Sequence, residues 1–353
     1  MQSMRNHGGL QGTKMLYPLR FNPILVERVW GGQTLTRFGK VLPPGKQIGE
    51  SWEISDRDEA QSVVANGPDK GKTLRQLIEA NGHEAIVGRR PSGRGSATSE
   101  ATSRARFPLL VKLLDARERL SLQVHPPAHI ATKLKGEPKT EMWYILDADR
   151  DAHLIAGMRR GVPAPEFMRA LEQSPQAVET CVHQIRVRPG DSFFVPSGRI
   201  HSIDAGITLV EIQQNSDTTY RIHDWGRVGM DGRPRRLHVS ESLACIDFQD
   251  FEPKKIVARV ESKAAGGLWH LVECEHFHVN KIVPQNAWPD RCDGLSFHVL
   301  ACIEGTVGIL TASGFEERLT IGQFVLLPAA LGPYTLTPLA ENTQVLKAWA
   351  PAR

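Results

Sequence analysis

The chain of 353 residues contains no apolar run close to the roughly 20 residues that a membrane helix needs, so a membrane partner is not expected. It has no CxxC pair. Its five cysteines (Cys181, Cys245, Cys274, Cys292 and Cys302) are odd in number. That argues against a disulfide framework or a thiolate zinc site, and for reduced thiols in the cytoplasm. The first 14 residues lack the apolar core of a secretory signal, are polar, and are expected to be disordered, with Met15 a candidate start. Charge of one sign is scarce: 43 Lys and Arg against 39 Asp and Glu give a formal +4. No helix or face gathers basic residues with interleaved aromatics, so nucleic acid is not an expected partner. Part of the basic excess is local. Residues 89–106 hold five arginines, one acid and no large apolar side chain. Such a stretch cannot bury enough surface to order itself and reads as a mobile surface insertion.

What the sequence does contain is short apolar runs at β spacing. Tyr17 to Trp30 reads as extended. Gly49 to Ser55 alternates Trp52 and Ile54 against polar neighbours, the pattern of a half-buried strand. The runs Phe107–Leu114, Leu120–Val124, Met142–Leu146, His183–Val187, Ser192–Val195 and Leu209–Gln213 are separated by turn residues, which predicts a sandwich or barrel. Helices are few. Thr73 and Gln76 fit a capping box for a helix to Gly88, interrupted at Asn81-Gly82. A second helix has Pro165 at N1 and ends near Ser174-Pro175, and a third runs Ser240–Ile246 with Ser240 as N-cap. A repeat runs through the β pattern: residues 189–196 (PGDSFFVP) resemble residues 321–328 (IGQFVLLP). Five residues beyond the closing proline stands His201 in the first copy and Pro333 in the second. The chain is therefore expected to be all-β with minor helices. Residues 15–252 would form one sandwich bearing a metal site and residues 253–353 a related one without it.

The candidate chemistry gathers in the first copy. Residues two apart on a strand share a face, so Gln123 and His125 aim at one point, as do Lys139 and Glu141. With His201 these supply two imidazole nitrogens, a carboxylate and an amide oxygen. Such a mixed set suits a borderline divalent cation such as Zn²⁺, with room left for a water or substrate oxygen.

Two short motifs carrying metal ligands on one small barrel resemble the cupin arrangement. The order LLVKLLDA (109–116), LSLQVHP (120–126), KTEMWYIL (139–146), PGDSFFVPSGRIHSI (189–203) and EIQQNSDTTYR (211–221) is more specific. It resembles type I mannose-6-phosphate isomerase in its short bacterial form, from about Met15 to Phe248. The resemblance implies tandem cupin-like jelly-rolls and a zinc ion held by Gln123, His125, Glu141 and His201. Glutamine is a weak zinc ligand, so its inclusion rests on the resemblance. It implies an active-site arginine at Arg221, and proton-transfer or substrate-contact roles for Asp217 and Lys139. It also implies a cavity-facing lysine at Lys112. Longer members carry a His beside the lysine of the third motif; here Pro138 stands there. Their long helical domain is also missing.

Aldose–ketose isomerisation moves a proton between C1 and C2 through a cis-enediol. It needs a polarised carbonyl, a base and a cation for the developing oxyanion. Arginine holds its proton, so Arg221 is expected to stabilise the oxyanion or open the ring. Asp217, or Lys139 with a lowered pKa, is the expected base. Lys112, Lys139, Arg221 and Arg199 are the expected contacts of a sugar-phosphate substrate. The protein is expected as monomer or homodimer. A cupin oxygenase with Fe²⁺ at the same ligands, or a non-catalytic sugar-phosphate sensor, are the alternatives.

Overall fold

A computed structural model describes residues 15–89 and 106–351. The expected disorder of residues 1–14 and mobility of the Arg-rich stretch fall on residues outside these, apart from Arg89 and Arg106. The two ends of that stretch are tied down: Arg89 N–H donates to Gly294 O, and Arg106 pairs with Asp58.

The chain is strand-dominated, and every ladder between its strands is antiparallel. Apart from the short pair Phe21–Asn22 and Val63–Val64, the strands of the first half are β1 (Ile24–Gly32), β2 (Ile48–Ile54), β3 (Leu109–Ala116), β4 (Leu122–Val124), β5 (Glu141–Ala148), β6 (His153–Met158), β7 (Val182–Arg186), β8 (Ser192–Val195), β9 (His201–Ile203), β10 (Ile207–Gln214) and β11 (Tyr220–His223). They form two sheets, in the orders β8-β5-β10-β3-β2-β1 and β11-β4-β9-β6-β7. The remaining strands are β12 (Arg259–Lys263), β13 (Gly266–Glu273), β14 (His278–Pro284), β15 (Trp288–Cys292), β16 (His298–Glu304), β17 (Thr306–Thr311), β18 (Glu316–Thr320), β19 (Phe324–Leu327), β20 (Gly332–Pro338) and β21 (Gln344–Trp349). These also form two sheets, β19-β16-β21-β14-β13-β12 and β15-β20-β17-β18. Strands β1 to β10 thus recur eleven strands later in the same neighbourhood. The repeat glimpsed in the sequence runs through both sandwiches; among the described residues β11 and the short pair Phe21–Asn22 with Val63–Val64 stand outside it.

One apolar core, running from Leu19 and Phe107 through Met142 and Ile212 to Phe297, Leu326 and Leu346, joins the two halves. Backbone bonds seal the joint: Leu19 and Leu326 exchange N–H···O bonds at 2.8 and 2.9 Å. This closes the exposed edge of β19, which would otherwise offer unpaired groups to other chains.

The helices partly match expectation. α1 (Leu74–Asn81) carries the expected capping box between Thr73 and Gln76. Gly82, at φ +85°, ends it before α2 (His83–Ile86). After the single turn α3 (Ala128–Ala131), α4 (Ala164–Gln173) stops where the sequence says, but the chain turns straight into α5 (Pro175–Cys181). Ser174-Pro175 ends one helix and starts the next: the Ser174 hydroxyl accepts from Ala177 N and Pro175 takes N1. α6 is Val239–Cys245, so His238 and not Ser240 is the N-cap residue, and the Ser240 hydroxyl bonds Glu241 instead. The start is fixed two residues earlier because His238 N–H is tied to Arg221 O at 2.7 Å. Strand β2 is buried along its whole length, not on one face. Its polar residues are matched inside: Glu53 meets Lys40 at 2.7 Å, and Glu50 faces a cavity. Among the described residues no helix is long and apolar enough to cross a membrane.

Candidate active site

Three neighbouring strands of the second sheet set the site. In β9, β4 and β11 the register places His201 opposite Gln123, and Gln123 opposite Arg221. Glu141, the first residue of β5, faces them from the other sheet, and His125 follows the end of β4. All four of His125, Glu141, His201 and Lys139 are buried.

The expected ligands meet. His125 Nε2 lies 3.4 Å from Glu141 Oε2, and His201 Nε2 lies 3.5 Å from Glu141 Oε1. Gln123 Nε2 is 3.3 Å from His201 Nε2. A half-turn of that amide keeps its shape and presents oxygen to the same point. Ligands about 2.1 Å from one tetrahedral zinc stand about 3.4 Å from each other, so the spacing fits a shared ion. Each imidazole has its Nδ1 against a backbone carbonyl, His125 on Thr218 O at 2.8 Å and His201 on Arg199 O at 2.9 Å. Donation there leaves the Nε2 lone pair pointing at the shared centre, the usual support of a metal-bound imidazole. His125 Nε2 and Glu141 Oε1 are buried without a hydrogen bond. Buried polar atoms are rarely left so. No other described group of His, Cys, Asp and Glu converges in this way.

The electrostatics agree with that fit. Burial, helped by the Lys139 ammonium, holds His125 down at about 3, and burial likewise lowers His201. Both rings are therefore neutral and able to ligate. Burial would raise the Glu141 pKa, yet the Lys139 ammonium outweighs it and keeps the carboxylate charged. The Lys139 ammonium, 2.9 Å from Glu141 Oε2, is itself pushed up in pKa, because Glu141 and Glu211 outweigh its burial. The lowered pKa expected of Lys139 is thus reversed: a base two residues from a buried glutamate keeps its proton.

Beside the ligands opens a cavity of about 300 Å³. Lys112, Lys139, Asp217 and Arg221 all line it, as expected, and so does Gln123. Lys112 sits over the Trp52 ring at 4.9 Å, with Glu211, Glu50 and Asp217 at 3.4, 3.7 and 3.9 Å. Arg199 does not line it. Its guanidinium forks onto Asp250 at 2.6 and 2.7 Å and donates to Phe194 O, which bolts the loop before His201 to the chain after α6. Its part in the site is the carbonyl that receives His201 Nδ1.

Other cavity residues were not picked out from the sequence: Glu50, Glu211, Arg28, Arg235 and His238. Glu211 sits inside the quoted motif, and its place in the alternation of β10 was the available signal. Burial, with Glu141 nearby, raises its pKa, and it accepts from Trp143 Nε1 at 3.1 Å. Glu50 is held at about 2, since Lys112 and Arg28 outweigh its burial. Arg235 and His238 lie in a polar loop whose composition distinguishes it from no other.

Comparison with known proteins gives one answer. Residues 19–156 match the model of the type I phosphomannose isomerase catalytic domain. The mannose-6-phosphate isomerase ManA of Bacillus subtilis is 35% identical over 326 residues, covering 92% of this chain and 97% of that protein. The crystal structure of a mannose 6-phosphate isomerase from Bacillus subtilis superposes with a TM-score of 0.82 at 31% identity, covering 94% of this chain and 99% of that one. A mannosephosphate isomerase described as putative, from Archaeoglobus fulgidus, shares the fold, with a TM-score of 0.72 at 20% identity over 95% and 98% of the two chains.

Proposed function

The chain belongs to the type I mannose-6-phosphate isomerases, and from that premise we propose that it interconverts mannose 6-phosphate and fructose 6-phosphate through a cis-enediol at one zinc ion. The convergence of His125 Nε2, Glu141 and His201 Nε2 carries this reading, with Gln123 as fourth donor. A bound divalent ion would supply Lewis acidity, polarising the sugar carbonyl so that the neighbouring C–H becomes acidic.

The chain's own groups then divide the work. Asp217, half exposed on the cavity wall and 3.9 Å from Lys112 Nζ, takes and returns the proton between C1 and C2. Lys139 stays an ammonium and, with Lys112, provides positive charge along the path of the sugar oxygens. Arg221 stabilises the oxyanion or assists ring opening. Its buried Nε has no acceptor among the described residues, as a donor awaiting substrate would. The metal-bearing sandwich is assigned to residues 15–252 and its companion to 253–353. Five free thiols support a reducing, cytoplasmic setting.

The test is a coupled isomerase assay on purified protein with and without chelator, alongside metal analysis. One zinc per chain is expected, with activity lost on chelation and restored by Zn²⁺. His201→Ala is expected to lose both metal and turnover. Full activity in a metal-free preparation would sink the metal role, and iron with oxygen uptake would point to an oxygenase.

A further inference from the structure

Resting on the reading of the substrate as a sugar phosphate, we infer that Arg235 and Arg28 form the phosphate subsite at the mouth of the cavity and select phosphorylated over free sugar.

The argument begins with layout. Across the second sheet the order is His201, Gln123, Arg221. Beyond β11 comes the returning loop, where His238 N–H donates to Arg221 O and Arg221 N–H donates to His238 Nδ1 at 3.3 Å. With about 5 Å per strand, this row leads from the ligand cluster out to the loop that carries Arg235. The first sheet repeats the arrangement. Glu141 is on β5, Lys112 two strands away on β3, and Arg28 on β1 at the far edge. The two sheets therefore place metal ligands at one end of a shared cavity and arginines at the other. A hexose 6-phosphate has the same polarity, with reacting carbons C1 and C2 at one end and the phosphate on C6.

The two arginines are also presented alike. Arg28 forks onto Glu50 through Nε and Nη2 at 3.1 and 3.2 Å. Arg235 forks onto the buried Asp224 through Nε at 2.7 Å and through Nη2. A carboxylate behind each planar group fixes its orientation, and among the described residues Nη1 of each makes no hydrogen bond. Both side chains line the cavity. Arg221 lies within Coulomb range of both, and burial together with Arg235 lowers its pKa. A dianionic phosphate held by Arg235 and Arg28 would lower the positive potential that both impose on Arg221, which stays with the oxyanion. Arginine's fork also matches two phosphate oxygens.

The experiment compares wild type with Arg235→Gln, Arg235→Lys and Arg28→Gln, all zinc-loaded and checked by thermal melt. Inorganic phosphate is expected to compete with mannose 6-phosphate on the wild type. Each Gln variant should raise KM for mannose 6-phosphate at least tenfold, with the larger part of the loss in KM. The inhibition constant of phosphate should rise in parallel, and discrimination against unphosphorylated mannose should fall by the same factor. Arg235→Lys should recover part of the affinity. Non-competitive phosphate on the wild type overturns the inference whatever the variants do, as do unchanged KM and phosphate inhibition in folded Gln variants. A wild type that turns over no mannose 6-phosphate would instead sink the isomerase reading. Calorimetric titration of the wild type and Gln variants with inorganic phosphate would then still test the arginines.

Discussion

Arg221 is half-buried beside Gln123 on the neighbouring strand, yet among the described residues no carboxylate comes within ion-pair reach of it. Its Nη1 donates to Arg236 O at 3.0 Å and its Nε to nothing. A cation so placed is held by backbone and left free for charge that appears during the reaction. Arg221→Ala is therefore expected to keep its zinc, because the ligand atoms lie one strand away, and to lose about 10²- to 10³-fold in kcat. Metal analysis beside steady-state kinetics checks this, and near-normal turnover would refute the role. Single residues were legible in the sequence where strand alternation fixes direction. Gln123 with His125, and Lys139 with Glu141, share faces because the β period is two. Arg199 was misjudged because its partner, Asp250, lies 51 positions along the chain. Sequence shows a basic side chain in a loop, and only the fold shows which acid already holds it. The charge state of Lys139 depends on its burial and on Glu211 from β10 as well as on Glu141 two positions away, which strand alternation alone does not weigh.

At the scale of elements, local signals worked where they are local. The capping box of α1 needs only residues 73–76: Gln76 N–H donates to Thr73 Oγ1 at 3.2 Å, and Thr73 N–H donates to Gln76 Oε1 at 2.9 Å. Thr73→Ala removes one of those bonds at an exposed helix start. A loss of about 1 kcal/mol is expected in urea unfolding, with isomerase activity intact; a change in activity would mean that α1 is coupled to the cavity. The start of α6 was misplaced because its determinant is not local. His238 is caught by Arg221, so the same contact that aligns the active-site strand also sets where the next helix begins. β2 was judged half-buried because alternation normally means one wet face. Here the second face is buried as well: its Glu53 meets Lys40 at 2.7 Å and accepts from Ser51 Oγ at 2.6 Å, while Glu50, on the face of Trp52, points into the cavity.

At the scale of the molecule, the eleven-strand recurrence allows position to be compared with position. Register aligns Gln123 with Arg291, Glu141 with His298, His201 with Pro333, and Glu211 with Lys347. Where the first sandwich gathers His125, Glu141 and His201, the second joins its sheets with a polar cluster. Lys347 Nζ meets Asp290 at 2.5 Å, and His298 Nδ1 meets Tyr334 Oη at 2.8 Å. The lysine supplies a built-in cation. Lys347→Met should then cost about 2–3 kcal/mol by stranding Asp290, with the zinc content of the first sandwich unchanged. Denaturant unfolding beside metal analysis reads both. Acid pH probes the same cluster through His298. Burial, then the Lys347 ammonium, holds its pKa at about 4, although Asp290 and Asp293 pull the other way. The unfolded chain binds that proton near 6.5, so between those values the unfolded state carries more protons and stability falls as pH is lowered. From pH 7 to pH 5 this one ring accounts for about 2 kcal/mol of lost stability. His298→Gln cannot take up the proton, so its stability should fall less than that of the wild type over the same interval, by that amount. Other titrating groups, including the two ligand histidines, are common to both proteins and cancel in the comparison. Urea midpoints at the two pH values, measured on both proteins after identical chelation, decide it: parallel losses would mean that His298 is already protonated in the fold, and that the second sandwich is not closed by a neutral imidazole beside a fixed cation.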